Sequence, residues 1–274
     1  MIALAGVTIQ SKIYESSASL VYRGIGMLDE RSLVVKMLKH SNPSVQELIR
    51  YRQEYEIIHS LNVEGVIKAY SLQEYQRTLV IILEDFGGES LEQWMYKRPE
   101  TFCPMPLSQF LRLAIALTET LGRIHAANVI HKDIHPGNII LNPETGVVKI
   151  IDFGIATQFN RTNPTFKSPH VLEGTLAYIS PEQTGRMNRM LDYRTDFYSL
   201  GITFYKLITG HLPFSTTDIL ELVHCHIAKQ PVSPHELNKT IPQAVSDIIL
   251  NLQFLEVTRV ISLGYTVPST WLIL

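Results

Sequence analysis

Three short runs near the start of the chain, Val7 to Tyr14, Ser19 to Ile25 and Ser32 to Leu38, are rich in the apolar residues Val, Ile, Leu and Tyr. Short runs of such β-favouring residues predict three β-strands joined by turns. From Val45 to Leu61 the pattern changes. Leu48, Ile49, Tyr55, Ile58 and Leu61 fall mostly three or four residues apart, which predicts an amphipathic helix. Two more strands follow, Ile67 to Leu72 and Thr78 to Leu83, and then a short helix, Leu91 to Lys97. The prolines of Pro99 to Pro106 mark a loop, after which Ser108 is the expected cap of a long helix carrying Phe110, Leu113, Leu117, Leu121 and Ile124, ending near Asn128. Val147 to Ile151 predicts a further strand and Thr217 to Lys229 a further amphipathic helix.

Composition narrows the partners. Hydrophobic residues at 45% and charged residues at 18% are ordinary globular values. A formal net charge of -2 gives no electrostatic reason to expect nucleic acid or an anionic membrane. Cys103 and Cys225 stand far apart with no Cys-x-x-Cys pair, so no zinc ribbon or disulfide framework is expected, and a reducing cytoplasm suits the chain. No run reaches the roughly 18 apolar residues of a membrane span. His224-Cys225-His226 cannot converge on a metal from adjacent positions of one helix, where successive side chains point about 100° apart.

The stretch that carries chemistry is His131-Lys132-Asp133-Ile134-His135-Pro136-Gly137-Asn138, followed by Asp152-Phe153-Gly154 after the Val147 to Ile151 strand. An Asp, an Asn five positions later and a second Asp on another element supply a carboxylate to orient an attacking hydroxyl and two hard oxygen ligands for magnesium. This arrangement resembles the catalytic core of the protein kinase family. The resemblance implies an α+β, two-lobed fold: a small antiparallel-sheet N-lobe with one helix (residues 1–84), a hinge and mainly helical C-lobe (85–252) and an atypical tail (253–274). It implies ATP and Mg2+, with Asp133 as the hydroxyl-orienting residue, Asn138 and Asp152 as metal ligands, and His131 as a structural member of the loop.

Further positions take their expected roles from the same resemblance. Leu33-Val34-Val35-Lys36 is similar to the V-A-I-K strand whose lysine pairs the ATP phosphates. Glu54, placed four and seven residues before Ile58 and Leu61, is its expected helix partner, with Glu56 the alternative on another face. Leu83 then stands at the gatekeeper position. Glu84 and Phe86 lie in the hinge that meets adenine, and Glu89 is placed to contact the ribose. In the phosphate-covering turn, anchored on Val21, the family's three glycines are replaced by Tyr14, Ser16 and Ser19. Serine hydroxyls can donate to phosphate, and an ordinary hairpin is the alternative reading of that turn.

Two catalytic-loop residues depart from the pattern. Lys132 replaces an arginine and loses the planar fork that grips a phosphate bidentately. His135 replaces the lysine that neutralises the transferred phosphate, a task histidine performs when protonated or through a neutral hydrogen bond. His-x-Asp-x-His-Pro-x-Asn is also similar to the loop of small-molecule phosphotransferases of the aminoglycoside and choline kinase type. Glu173 to Glu182, however, resembles the G-T-x-x-Y-x-x-P-E end of a protein kinase activation segment, with Thr175 and Glu182 at its key positions. Asp192 to Phe214 resembles the buried helix whose aspartate, here Asp196, braces the catalytic loop. The expected function is transfer of the γ-phosphoryl group to serine or threonine of a protein substrate. A small-molecule kinase or a catalytically impaired nucleotide-binding module is the alternative. Thr162, Thr165 and Ser168 are candidate regulatory phosphosites.

Ile241 to Leu252 resembles the penultimate helix of the fold, beyond which the family places an arginine that pairs with the segment's glutamate. Past Arg194 the one remaining arginine is Arg259, and Val257 to Leu274 is otherwise uncharged and without helical period. A truncation or frameshift near Gln253 is therefore expected. Ile13 to Glu30, Glu54-Tyr55-Glu56, Leu83 to Leu91 and Ser180 to Asn188 further resemble the N-terminal kinase domain of large bacterial proteins that join a serine/threonine kinase to an ATPase and a histidine kinase, which implies signalling partners. Reading the gene in its other frames tests the tail: a frame opening near codon 253 into a charged amphipathic helix is the expected result, and no such frame refutes it.

Overall fold

The computed structural model describes residues 4–97, 104–158, 173–186 and 191–253. Thr162, Thr165, Ser168, Cys103, Arg259 and the tail after Gln253 lie outside them. In chain order the elements are β1 (Val7–Glu15), β2 (Ser19–Gly26), β3 (Ser32–Leu38), α1 (Val45–Ser60), β4 (Ala69–Tyr75), β5 (Thr78–Glu84), β6 (Glu89–Ser90), α2 (Leu91–Tyr96), α3 (Leu107–Ala126), β7 (Val129–Ile130), β8 (Ile139–Leu141), β9 (Val148–Ile150) and β10 (Thr157–Gln158). Four helices follow, α4 (Arg194–Thr209), α5 (Ile219–Ala228), α6 (Pro234–Leu237) and α7 (Gln243–Gln253). The chain divides into two units, Met1–Glu89 with Ile140–Gly154, and Ser90–Ile139 with Ile155–Leu274. An antiparallel sheet with a helix makes the first and helices dominate the second, which is the expected α+β fold.

In the first unit the strands run antiparallel in the order β1-β2-β3-β5-β4. Alternation sorts the side chains. Leu33, Val35 and Met37 of β3 join Val80 and Ile82 of β5 in one apolar cluster with Leu4 and Val7. Lys36, between Val35 and Met37, therefore points to the other face. Helix α1 starts where Ser44 and Glu47 cap each other: Ser44 Oγ accepts the Glu47 N–H at 3.2 Å and the Glu47 carboxylate accepts the Ser44 N–H at 2.8 Å. It packs on β4 and β5.

Three sequence expectations need correction here and in the second unit. The buried face of α1 carries Tyr51, Glu54, Ile57 and Ile58, whereas Ile49 is 52% exposed. The sheet contact and a buried carboxylate, which an apolar count overlooks, select the face. Strand β4 begins at Ala69 because the chain before it pairs elsewhere: Val66 bridges Ile150 in parallel and the Ile67 N–H donates to the Ile150 carbonyl at 3.1 Å. It runs on to Tyr75, where Gln76 at φ 55° closes the hairpin to Thr78. In the second unit Ser108 does not cap α3. The helix starts at Leu107, and the Pro106 carbonyl accepts the N–H groups of Gln109 and Phe110 at 2.9 Å each.

The second unit is built on α4, which is buried on nearly every side from Thr195 to Thr209. Such all-round burial marks a central helix. Against it lies the apolar stripe of α3, with Phe110, Leu113, Leu117, Leu121 and Ile124 all at 4% exposure or less. Helix α7 crosses α4 so closely that a Cβ at Gly201 would lie 2.9 Å from Leu252 Cβ and 3.0 Å from Gln253 Cγ. His226 of α5 is buried, with Nδ1 2.8 Å from the Tyr198 hydroxyl, and burial pushes its pKa down to about 4, against the pull of the Leu176 backbone carbonyl.

A paired substitution measures this packing. Gly201→Ala is expected to destabilise by about 1–3 kcal/mol through overpacking. Gly122→Ala, on the exposed side of α3 where an added Cβ meets nothing within 4 Å, should gain up to about 1 kcal/mol of helix propensity. Urea denaturation of the two variants beside the wild type reads both shifts.

Candidate functional site

Within the first unit, strand β3 delivers Lys36 to the face covered by α1, where Nζ lies 2.6 Å from Glu54 Oε1. Lys36 and Glu54 are 8% and 3% exposed. Glu54 therefore takes the role for which Glu56, exposed on α1, was the alternative. The strand β9 ends one residue before Ile151 and Asp152, and Asp152 sits at φ 63°, in the left-handed region. There its Oδ1 is 3.1 Å from Lys36 Nζ and accepts the Gly154 N–H at 3.2 Å. One buried ammonium thus holds two carboxylates from distant parts of the sequence.

The electrostatics follow from burial and this charge count. Burial opposes the Lys36 charge, but Asp152 and Glu54 outweigh it and hold the pKa above the ordinary lysine range. Glu54 has the reverse balance: burial, with Asp152 adding repulsion, pushes it up to about 7 against the pull of Lys36. Removing one member of such a buried pair strands the other charge, at a cost of about 3–5 kcal/mol.

The remaining residues of this group surround that centre. Val21 is the cross-strand partner of Lys36 and Leu83 that of Val34. Leu83 is buried. Ser16 closes its own turn: its hydroxyl accepts the N–H groups of Ala18 at 3.2 Å and Ser19 at 2.9 Å. The short side chain thus satisfies two of the loop's own amides, as in an ordinary hairpin turn. Glu84 is likewise engaged within the unit, accepting from Lys149 Nζ and from the Lys68 N–H. The Phe86 carbonyl accepts from Asn142 Nδ2 at 2.5 Å. Glu89 is half-buried at the start of β6.

Within the second unit the catalytic-loop residues gather around Asp196, which is fully buried in the first turn of α4. Its Oδ2 accepts the His131 N–H and His125 Nε2, each at 2.8 Å, and its Oδ1 accepts the Lys132 N–H at 2.6 Å. Three donors satisfy a carboxylate that would otherwise be costly to bury. Lys132 itself stands at φ 67°, a conformation that costs an L-residue roughly 1–2 kcal/mol. His131 Nδ1 accepts the Asp133 N–H at 3.2 Å.

Asp133 is oriented from three directions. Oδ1 accepts the Thr175 N–H at 2.8 Å, Oδ2 accepts from Asn138 Nδ2 at 3.2 Å, and His135 Nε2 stands 3.6 Å from Oδ2. Burial alone would raise its pKa, but His135, His131 and the Thr175 N–H hold it at about 2. His135 Nδ1 accepts the Gly137 N–H at 3.1 Å, which puts the ring proton on Nε2, facing Asp133. Asn138 Nδ2 also donates to the Asp133 carbonyl at 3.0 Å. Both donors of that amide are committed, and its Oδ1 is left as an acceptor or metal ligand.

Glu182 is 6% exposed; its Oε1 accepts from Thr195 Oγ1 at 2.7 Å and its Oε2 has no partner among the described residues. The arginine expected opposite it falls in the part of the sequence not described. Two contributors escaped the sequence reading, His125 and Gln183. His125 occupies the last turn of α3, six residues before His131, so a histidine at the end of a helix entering the loop was the available signal. Gln183 adjoins Glu182 and donates to the Lys132 carbonyl at 2.8 Å.

Comparison with known proteins agrees with this geometry. The family model for the protein kinase domain matches residues 7–259. A probable serine/threonine-protein kinase of Clostridium perfringens is 29% identical over 86% of this chain and 33% of its own length. The serine/threonine-protein kinase PrkC of Bacillus subtilis is 27% identical over 84% and 34%. The serine/threonine-protein kinase PknL of Mycobacterium tuberculosis is 30% identical over 79% and 52%. The chain spans between a third and about half of these relatives.

The raised Glu54 pKa gives a pH test. Folded, Glu54 keeps its proton up to about pH 7, whereas a solvated glutamate loses it near 4.5. Between those values the folded chain binds more protons than the unfolded one, so this group's contribution to stability falls as pH rises through the window. Melting temperatures of wild type and Glu54→Gln from pH 5 to 8 are expected to show that component in the wild type and its loss in the variant.

Proposed function

From the premise that this chain belongs to the protein kinase domain family, we propose that it transfers the γ-phosphoryl group of ATP to serine or threonine hydroxyls of a protein. The observation that carries the reading is the hydrogen bond from the Thr175 N–H to Asp133. It ties the hydroxyl-orienting carboxylate to the Gly-Thr segment that, in this family, receives a polypeptide. The printed names of the relatives, serine/threonine-protein kinases, support the same acceptor class.

In this reading Asp133, ionised at any physiological pH, accepts a hydrogen bond from the attacking hydroxyl and aligns it with the γ-phosphorus. Lys36, held protonated by Glu54 and Asp152, pairs the phosphate oxygens. Asn138 Oδ1 and the Asp152 carboxylate, both hard oxygen donors, are the residues that would hold Mg2+; the metal when bound neutralises charge on the phosphates. His135 presents an N–H on the acceptor side of Asp133, where the family uses an ammonium. Leu83, Glu84 and Phe86 supply the hinge and Glu89 the ribose contact, with Val21 and the Ser16 to Ser19 turn over the phosphates. Since Ser16 already satisfies two loop amides, the turn must give up those bonds before its N–H groups reach a phosphate.

A second reading, transfer to a small-molecule hydroxyl, is favoured by His135, and an impaired nucleotide-binding module is favoured by the self-closed turn. The Asp133–Thr175 tie weighs against both. No described helix is long and apolar enough to cross a membrane. We infer a cytoplasmic kinase unit within a longer signalling protein.

The test is incorporation of label from radiolabelled ATP with magnesium into generic protein substrates, beside Asp133→Asn and Lys36→Met. Both substitutions are expected to lower incorporation by about a hundredfold or more, in line with loss of electrostatic and positioning groups. Incorporation unchanged by either refutes the assignment, and transfer to choline or an aminoglycoside alone establishes the second reading.

A further inference from the structure

The side chain of Gln183 joins the activation segment to the catalytic loop within the second unit. It belongs to the 3-10 turn Pro181–Thr184 and is half-buried. Its Oε1 accepts the Ser180 N–H at 3.1 Å and the Ser180 hydroxyl at 3.0 Å. Its Nε2 donates to the Lys132 carbonyl at 2.8 Å and to the Glu173 carbonyl at 3.4 Å. An N–H on one side and two carbonyls on the other fix which way the amide faces.

The Lys132 carbonyl is an unusual thing to hold. Lys132 is in the left-handed region, and its N–H is already bound to Asp196. Gln183 grips the other end of the residue. The strand of segment that crosses the same carbonyl is Gly174, at φ 104°, where a Cβ would lie 3.2 Å from Lys132 O, 3.5 Å from Asp133 Oδ1 and 3.5 Å from Gln183 Nε2. The next residue is Thr175, the donor to Asp133. A second strut runs parallel, with Lys132 Nζ 3.7 Å from Glu173 Oε2.

We propose that Gln183 is a positioning residue for Asp133: by clamping the Lys132 carbonyl and the Glu173 carbonyl together, it keeps Lys132 left-handed and the Thr175 N–H on the Asp133 carboxylate. The proposal rests on the phosphoryl-transfer reading for its consequence in rate. With the clamp released, the Lys132–Asp133 peptide is free to rotate toward the ordinary helical or extended regions, which re-aims Asp133 and withdraws Thr175. Such misplacement lowers the rate of the chemical step without touching the groups that bind ATP.

The test compares wild type with Gln183→Glu, which keeps the size and the acceptor for Ser180 but sets a carboxylate against two carbonyls, and with Gln183→Met, which only removes the donor. Expected are a fall in kcat of about tenfold or more, an unchanged KM for ATP, and amide exchange at Thr175 faster by about tenfold while the amides of α3 keep their wild-type rates. A kcat within twofold of wild type, or unchanged exchange at Thr175, in whichever variant folds overturns the proposal. Should the wild type transfer no phosphate, the kinase reading fails, and exchange at Thr175 still decides the clamp.

Discussion

A fully buried carboxylate governs the second unit. Asp196 has no solvent to lean on, so α4 can carry it in the core only if donors surround it, and the donors it finds are the backbone of His131 and Lys132 and the ring of His125. Burial turns an electrostatic requirement into geometry. Both N–H groups reach one carboxylate with the chain left-handed at Lys132, and that turn presents Asp133 to the Thr175 amide. The strain at Lys132 is offset by the bonds to Asp196, each charge-assisted and in a low-dielectric core.

The first unit meets the same constraint with opposite charge. Lys36 reaches a buried face because strand alternation sends it there, and two carboxylates compensate it. Burial, with Asp152 competing for the same ammonium, pushes Glu54 up to about 7 while Lys36 stays charged. A site so arranged has one carboxylate held in the interior and one, Asp152, with a 44% exposed side chain and an oxygen set suited to a hard cation. Elsewhere the accounting is less complete. Glu182 keeps one buried oxygen without a described partner, and Lys206, whose pKa burial lowers, donates to the Tyr178 hydroxyl at 3.0 Å.

The departures from the family pattern have local physical answers. Where glycines would leave loop amides open, Ser16 occupies two of them, trading openness for a closed turn. Where a lysine would stand, His135 is held in one tautomer by the Gly137 N–H and lies beside Tyr178, the rings tilted by 34° with centroids 5.5 Å apart. Where an arginine would grip phosphate, Lys132 faces Glu173, and the neutral amide of Gln183 holds its backbone.

Much of the architecture was legible along the chain. Runs rich in Val, Ile, Leu and Tyr gave the first three strands, the stripe of α3 gave its buried side, and the spacing of Asp133, Asn138 and Asp152 gave the proposed chemistry, since each depends on near neighbours or on residue type. Boundaries set by distant partners were not legible: β4 starts late because Ile67 bonds to Ile150. The alternation of β3 determined that Lys36 would oppose Val35 and Met37. Only the tertiary structure decided that Asp152 joins Glu54 on that ammonium, that His125 and Gln183 serve the loop, and that Ser16 turns on its own amides, because these depend on groups brought together by packing or on hydrogen bonds for which the sequence left more than one acceptor open.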